Sequence, residues 1–325
     1  MSKAIRIRQT GGPEQMRWED VDVGAPAPGQ VLLRQTAVGL NYIDVYHRTG
    51  LYPLPAMPAV LGMEAAGVVE AVGPGVTSVR PGQRVAYASP PVGAYAERRL
   101  MPADRLVPVP DDIDDVQAAA MMLQGMTAQY LLRRTYRLQP GDAILVQAAA
   151  GGVGQILCQW ARHLGATVIG TVGSDEKAKV AREAGCAHVI VYSRENFAEK
   201  VREITGGAGV AVVYDGVGKS TFEGSLNSLA MLGMLVSYGN ASGPVPPFEP
   251  AILSQKGSLF FTRPTLMHYT AKAEDLQASA RELFDVVGSG AVRIKVSQTY
   301  PLSEAAQAHR DLEARKTTGS TVLLP

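Results

Sequence analysis

Hydrophobic and polar positions alternate in short runs through the first third of the chain, at Ala4–Arg8, Val31–Val38, Ala65–Val72 and Arg84–Ala88. Turn residues punctuate them: Gly11-Gly12-Pro13, Pro28-Gly29, Gly73-Pro74-Gly75 and Pro81-Gly82. A two-residue period interrupted this often predicts a partly closed β-domain. From Asp111 the pattern changes. Asp111–Arg134 runs from acids through Ala, Met, Leu and Gln to Arg133-Arg134, which predicts one helix with its dipole complemented at both ends.

Units of apolar strand, glycine turn and amphipathic helix follow. Ala143–Gln147 is the first predicted strand. Val153, Ile156, Leu157, Trp160, Ala161 and Leu164 then fall on one face of a helix that Gly165 ends. Further strands are predicted at Ala166–Val172, Ala187–Tyr192, Val210–Tyr214 and Leu232–Tyr238. The helices between them are expected at Asp175–Ala184, Glu195–Thr205 and Ser220–Leu229. Repeated βαβ crossovers imply an α/β fold, a doubly wound parallel sheet with helices on both faces. Ser258–Thr262 is a candidate last strand. The tail offers one amphipathic helix, Ala273–Val287, and an apolar strand, Ser320–Leu324. It is expected to return to the N-terminal β-domain, which otherwise lacks a helix long enough to cover its core.

The 325 residues suffice for two domains, and 46% hydrophobic with 19% charged is an ordinary globular balance. A net charge of +1 gives no reason to expect nucleic acid or an anionic membrane as the main partner, and Arg133-Arg134 reads as solvated helix surface. No apolar run approaches the roughly 20 residues needed to span a bilayer. The start, MSKAIRIRQTGG, alternates like a strand and lacks the apolar core of a signal peptide. A cytoplasmic protein is expected, with Cys158 and Cys186 as packing residues, since neither has a CxxC partner.

Candidate chemistry begins at ILVQAAAGGVGQILCQWA. Laid on GxGxxG, its positions are Ala149, Gly151 and Gly154, so alanine replaces the first glycine. Gly151 and Gly152 let the backbone approach a pyrophosphate, and Gly154 lets the helix pack close to the strand. The N–H groups at Gly152, Val153 and Gly154 face the phosphates at the positive helix end. The strand before and the helix after supply the context that such a motif requires.

NAD sites usually carry Asp or Glu about 20 residues further on, holding the ribose 2′-OH. Here Gly173 stands in that place, followed by Ser174 and Lys177. A hydroxyl and an ammonium favour a 2′-phosphate that a carboxylate would repel, which predicts NADPH. Tyr192 is a candidate to close over the adenine side. Asp175 dissents, because a small shift of the turn would give it the ribose role; Lys177 also reads as a solvated lysine on its helix.

With these residues in place, the chain resembles the quinone oxidoreductases, the zeta-crystallin-like, zinc-independent branch of the medium-chain dehydrogenase/reductase family. The resemblance rests on NYIDVYHRTGLYP at 41–53, LGMEAAGVV at 61–69, AAAGGVG at 148–154, VVYDGVG at 212–218 and QKGSLFFTRP at 255–264. It implies a GroES-like β-rich domain from residues 1–122 and 265–325 and a Rossmann domain from 123–264, with NADPH in the cleft between them. Carried over by position, Asn41 and Tyr46 lie near the nicotinamide, with Tyr52 at the pocket mouth. Thr127 contacts the nicotinamide end, and Gly152 and Val153 the pyrophosphate. Ser174, Lys177 and Tyr192 surround the 2′-phosphate, while Gly216, Asn240, Phe261 and Arg263 complete the groove. A homodimer through the Rossmann edge at Ser258–Thr262 is also implied.

In zinc alcohol dehydrogenases a Cys and a His-Glu pair hold the catalytic metal. The matching positions here are Asn41 and Met63-Glu64, poor zinc ligands apart from the glutamate, and two cysteines cannot make a four-cysteine structural site. Without such a metal, the expected acceptor is already electrophilic, as a quinone is. Asn41 is then a candidate to hydrogen-bond a quinone oxygen, and Tyr46 or Tyr52 to donate a proton or shield, although each tyrosine reads equally as packing. Two alternatives are an NADPH-dependent enone or alkenal reductase, which needs a positioned acid, and a cofactor-holding crystallin or RNA-binding protein.

Overall fold

The computed structural model describes residues 2–325. The chain divides into two compact units. One takes the described residues up to Gln124 together with Thr270–Phe284 and Ile294–Pro325; the other takes Gly125–Tyr269 and Asp285–Arg293. Among the described residues no helix is long and apolar enough to cross a membrane.

In the second unit six strands lie side by side: His188–Val191, Thr167–Val172, Ala143–Val146, Val210–Asp215, Leu229–Ser237 and Phe260–Thr262. Every neighbouring pair is parallel. Numbered along the chain the order is 3-2-1-4-5-6, the order of dinucleotide-binding sheets. It reverses between Ala143–Val146 and Val210–Asp215, so the turns leaving these two strands diverge and open a crevice at their carboxyl ends. Leu145, Ile169, Ile190, Val213 and Leu235 fill the core against Val201 and Leu226 from the helices. Each such side chain stabilises the fold by about 1.5–3 kcal/mol on burial, which is why these strands read as continuous apolar runs rather than alternations.

In the first unit the sheet runs Val296–Pro301, Ser320–Leu324, Gln30–Leu40, Glu64–Val72, Arg84–Ala88, Val107–Pro108, with Arg98–Pro102 also paired to Gln30–Leu40. The returning tail strand is antiparallel to Gln30–Leu40, with Thr321 opposite Leu40 and Leu323 opposite Val38. A smaller sheet joins Arg17–Val21, Ser2–Ile7 and Ala59–Val60.

Two expectations fail. Asp111–Arg134 is not one helix but Asp115–Ala119, then Met122–Tyr130, then a widened π-turn at Leu131–Thr135. The break occurs where side chains from elsewhere claim the backbone. Leu123 N donates to the Glu64 carboxylate (2.7 Å), and the Ala120 carbonyl accepts from Ser320 Oγ (2.9 Å), so neither joins the intrahelical ladder. The tail also carries a second helix, Ala305–Glu313. Its buried face is Ala305, Ala308 and His309, too small and polar to announce itself as an apolar stripe.

Candidate functional site

The strand Ala143–Val146 runs into a turn whose bend is taken by Ala148 at φ 54°. The left-handed residue is therefore one position ahead of the alanine aligned with the first motif glycine. An alanine there stores about 1–2 kcal/mol of strain. Gly151 caps the helix Gly152–His163, and its N–H returns to the Ala148 carbonyl at 2.9 Å. A Cβ on Gly154 would stand 2.4 Å from the Ala148 oxygen, so the helix sits directly on the turn because this residue is glycine. The first N–H groups of the helix, from Gly152 and Val153 onward, have no carbonyl of their own turn to bond and form an anion-binding end.

The next strand ends at Val172, and the residues that sequence reasoning assigned to a 2′-phosphate come together there. A Cβ on Gly173 would lie 2.8 Å from the Tyr192 hydroxyl oxygen, so the tyrosine ring lies over the glycine. Ser174 caps the helix Asp175–Glu183, its Oγ accepting from Lys177 N at 3.3 Å. Asp175, the dissenting acid, is gripped at both oxygens by Arg194, at 2.7 and 2.8 Å. Arg194 was missed in sequence reasoning; nothing in its local pattern marks it.

Across the sheet reversal, Asp215 organises the turn after its strand. Its Oδ1 accepts from the N–H of Val217 (2.8 Å) and Gly218 (3.0 Å), and its Oδ2 from Thr221 Oγ1 (2.7 Å) and Ser225 Oγ (2.8 Å). The sequence signal for Asp215 was an acid just before a Gly-x-Gly turn, and it went unread. Gly216 lies against Tyr238, where a Cβ would stand 2.9 Å from the ring. Asn240 joins it, accepting from Arg263 Nη2 (3.2 Å) and donating to the Gly239 carbonyl (3.0 Å) in the amide orientation that satisfies both. Arg263 also donates to the Ser237 carbonyl at 3.0 Å. Phe261 is half-buried, its ring packed edge-on against Phe222 and Phe248 (5.9 and 5.2 Å) at the side of the core. Thr127 is buried on the helix Met122–Tyr130. The helix-end amides, the acid-free Gly173 and the close-set glycines form a cradle that fits an extended dinucleotide with a phosphorylated ribose.

The other candidates lie in the first unit. Asn41 opens the helix Tyr42–Thr49. Tyr46 is buried, 5.1 Å edge-to-face from Tyr52, whose N–H donates to the Tyr46 carbonyl. Asn41, the candidate to hydrogen-bond the acceptor, already has partners on both sides of its amide. Its Nδ2 donates to Glu64 Oε2 (2.6 Å), its Oδ1 accepts from Gln124 Nε2 (3.1 Å), and its N–H donates to Asp44 Oδ2 (2.9 Å). Gln124 in turn accepts from Ser320 Oγ at 2.7 Å. Packing demands this arrangement, because the side chain is buried and an unpaired amide there would be costly.

Burial dominates the electrostatics of this cluster. It pushes Glu64 up to about 8, against the hydrogen bonds from Asn41 and Leu123, with the neighbouring Asp44 adding to the rise. It pushes Asp44 up to about 7, against hydrogen bonds from Asn41, Tyr95 and Met63. His309 is driven down to about 3 by burial and by the Arg48 charge. Neutral His309 therefore accepts from Arg48 at Nδ1 (3.0 Å) and donates from Nε2 to the Tyr95 oxygen (3.0 Å), which donates to Asp44 Oδ2 (3.0 Å). Sequence reasoning weighed Glu64 only as a metal ligand and missed it as a buried, proton-carrying acid. Among the described residues no three His, Cys, Asp or Glu side chains group as a metal ligand set.

Two family models match, the alcohol dehydrogenase GroES-like domain over residues 27–111 and the zinc-binding dehydrogenase over residues 152–285. A quinone oxidoreductase of Pseudomonas aeruginosa is 54% identical over 325 residues, covering 100% of each chain. A 2-haloacrylate reductase of a Burkholderia species is 52% identical over 332 residues, covering 100% of this chain and 99% of the relative. Among solved structures, Escherichia coli quinone oxidoreductase complexed with NADPH superposes with a TM-score of 0.98 at 46% identity, covering 99% of this chain and 100% of that one.

Proposed function

Because the chain belongs to the quinone oxidoreductase family, we propose that it is an NADPH-dependent reductase whose acceptor is a quinone. The observation that carries this reading is the turn at Gly173, where glycine under the Tyr192 ring replaces the acid that would hold an unphosphorylated ribose. In this reading residues 123–264 hold the coenzyme and residues 1–122 with 265–325 handle the acceptor. NADPH supplies the hydride. Gly151, Gly152 and Val153 bind its diphosphate, Gly173, Ser174, Lys177 and Tyr192 its 2′-phosphate end, and Thr127, Gly216, Asn240 and Arg263 hold the rest of its length. Asn41, locked by Glu64 and Gln124, orients the acceptor with the donor capacity its amide retains. Tyr46 and Tyr52 form an aromatic wall that keeps water off the acceptor. A quinone needs little more than this, because its reduced form is a weakly basic oxyanion that water protonates.

A second reading keeps the coenzyme and makes the acceptor an activated alkene, and the 2-haloacrylate reductase relative at 52% identity favours it. That chemistry places a proton on carbon, so a side-chain acid such as Tyr46 becomes essential. NADPH oxidation measured with 1,4-benzoquinone, 9,10-phenanthrenequinone, 2-chloroacrylate and an alkenal separates the two, with Tyr46→Phe as the probe. Quinone turnover in the variant within roughly threefold of wild type is expected, a change too small for a lost general acid. Faster turnover of 2-chloroacrylate than of either quinone, abolished by Tyr46→Phe, overturns the quinone assignment.

The same reading includes a homodimer formed along Phe260–Thr262, the outer strand of the parallel sheet. Phe260, Met231 and Leu232 are 56%, 78% and 63% exposed beside that edge, an apolar strip of the kind that a second copy covers. It also places the protein in the cytoplasm, where a buried thiol pair such as Cys158 and Cys186, 3.5 Å apart, stays reduced.

A further inference from the structure

The coenzyme turn carries a carboxylate in the wrong place. Asp175 follows Ser174 directly and opens the helix Asp175–Glu183, two residues beyond Gly173. A 2′-phosphate carries close to two negative charges, and an ionised carboxylate on the same turn opposes it. Yet Asp175 keeps its charge, its carboxyl held below the ordinary range by the hydrogen bonds and charge of Arg194, with Arg182 and Lys179 adding to the effect. Both carboxylate oxygens are occupied by the two terminal nitrogens of Arg194. Arg194 comes from the loop after His188–Val191, two residues past Tyr192, whose hydroxyl lies over Gly173. The end of one strand thus delivers both a ring and a guanidinium to the turn that leaves its parallel neighbour.

We infer that Arg194 is a specificity-determining residue that sets the preference for a 2′-phosphorylated coenzyme by neutralising Asp175. The inference rests on the NADPH reading above and names a part of that site. In the paired state the charge of Asp175 is neutralised and opposes a phosphate far less, and the turn presents Lys177 and the outer edge of the guanidinium beside the Ser174 hydroxyl, which bonds the Glu176 carboxylate. Remove Arg194 and the same turn becomes acidic, with the Asp175 and Glu176 carboxylates adjacent in the first turn of the helix. That arrangement resembles the acid that holds an unphosphorylated ribose. An ion pair this exposed contributes little to folding, so its removal tests binding rather than stability.

The test is titration calorimetry of the full chain with NADPH, NADH and 2′,5′-ADP, for wild type, Arg194→Gln, Asp175→Asn and the double variant. Arg194→Gln is expected to weaken 2′,5′-ADP and NADPH by roughly tenfold, the repulsion across about 5 Å of water between one carboxylate and a nearly doubly charged phosphate, and to leave NADH unchanged or tighter. Asp175→Asn/Arg194→Gln is expected to recover most of that loss, since the repelling charge goes with its partner. Arg194→Gln binding 2′,5′-ADP within about twofold of wild type overturns the inference, as does a double variant no better than Arg194→Gln. The NADPH reading fails separately and visibly, if wild type itself binds NADH as tightly as NADPH. Melting temperatures of the four proteins confirm that each binding change is measured on a folded chain.

Discussion

Replacing Glu64 by Gln changes how the stability of the first unit depends on pH. Glu64 has an ordinary value of 4.5 and a folded value of about 8 because burial disfavours its charged form. The folded state therefore holds a proton that the unfolded chain releases above about pH 4.5, so this group stabilises the fold less and less as pH rises and stops changing above about pH 8. At about 1.36 kcal/mol per pH unit, the full difference corresponds to roughly 5 kcal/mol, of which about 3–4 is lost between pH 5 and pH 8. Asp44, raised to about 7, acts with the same sign over a slightly lower range. Glutamine removes the Glu64 part without orphaning a neighbour. Its carbonyl still accepts from Leu123 N, and the Asn41 and Gln124 amides turn over in step. Ser320 Oγ then accepts from Gln124 while still donating to the Ala120 carbonyl. Trp18 lies in the first unit and Trp160 in the second, so in a Trp160→Phe background fluorescence-monitored urea unfolding reports the first unit alone. The wild-type side chain should show the steeper fall from pH 5 to pH 8, with Glu64→Gln retaining a weaker slope from Asp44. Parallel curves for the two proteins would mean that Glu64 is ionised in the native state, and the account of the cluster would be wrong.

Gly154→Ala drives a methyl group to 2.4 Å from the Ala148 carbonyl oxygen. The turn has to move, at a cost of about 1–3 kcal/mol in stability, and NADPH affinity should fall at least as far by calorimetry. Asp215→Asn replaces a carboxylate that accepts four hydrogen bonds with an amide that accepts at one atom. About 2–3 kcal/mol of stability should be lost on thermal unfolding, together with coenzyme affinity, because the Gly216–Gly218 turn loses its template. Phe260→Asp puts a charge on the exposed edge strand, so the homodimer proposed along it should give way to monomer, read by light scattering of variant and wild type at micromolar concentration.

Much of the coenzyme half was legible because its signals are local. Gly151, Gly154 and Gly165 are punctuation whose meaning depends on the few residues around them, and the βαβ repeat leaves few topologies open. Gly173 was read from its spacing and Tyr192 from family position, and the structure brings them together, with the tyrosine hydroxyl 2.8 Å from where a Cβ would stand. Arg194 and Asp215 were harder. Their roles are defined by partners, one across two parallel strands and the other across a turn and a helix.

From its own order of residues the chain determined the alternating sheet of the first unit, the parallel sheet of the second and the glycine turn between strand and helix. These follow from periodicity and backbone sterics, which act over a few residues at a time. Only the tertiary structure decided that Ser320, from the far end of the chain, meets Gln124 and Ala120, that Glu64 breaks a helix at Leu123, and that Asn41 is locked rather than open. Burial is the physical reason. A polar group shut away from water must find its partner or its proton wherever the fold brings one, and sequence distance places no limit on where that is.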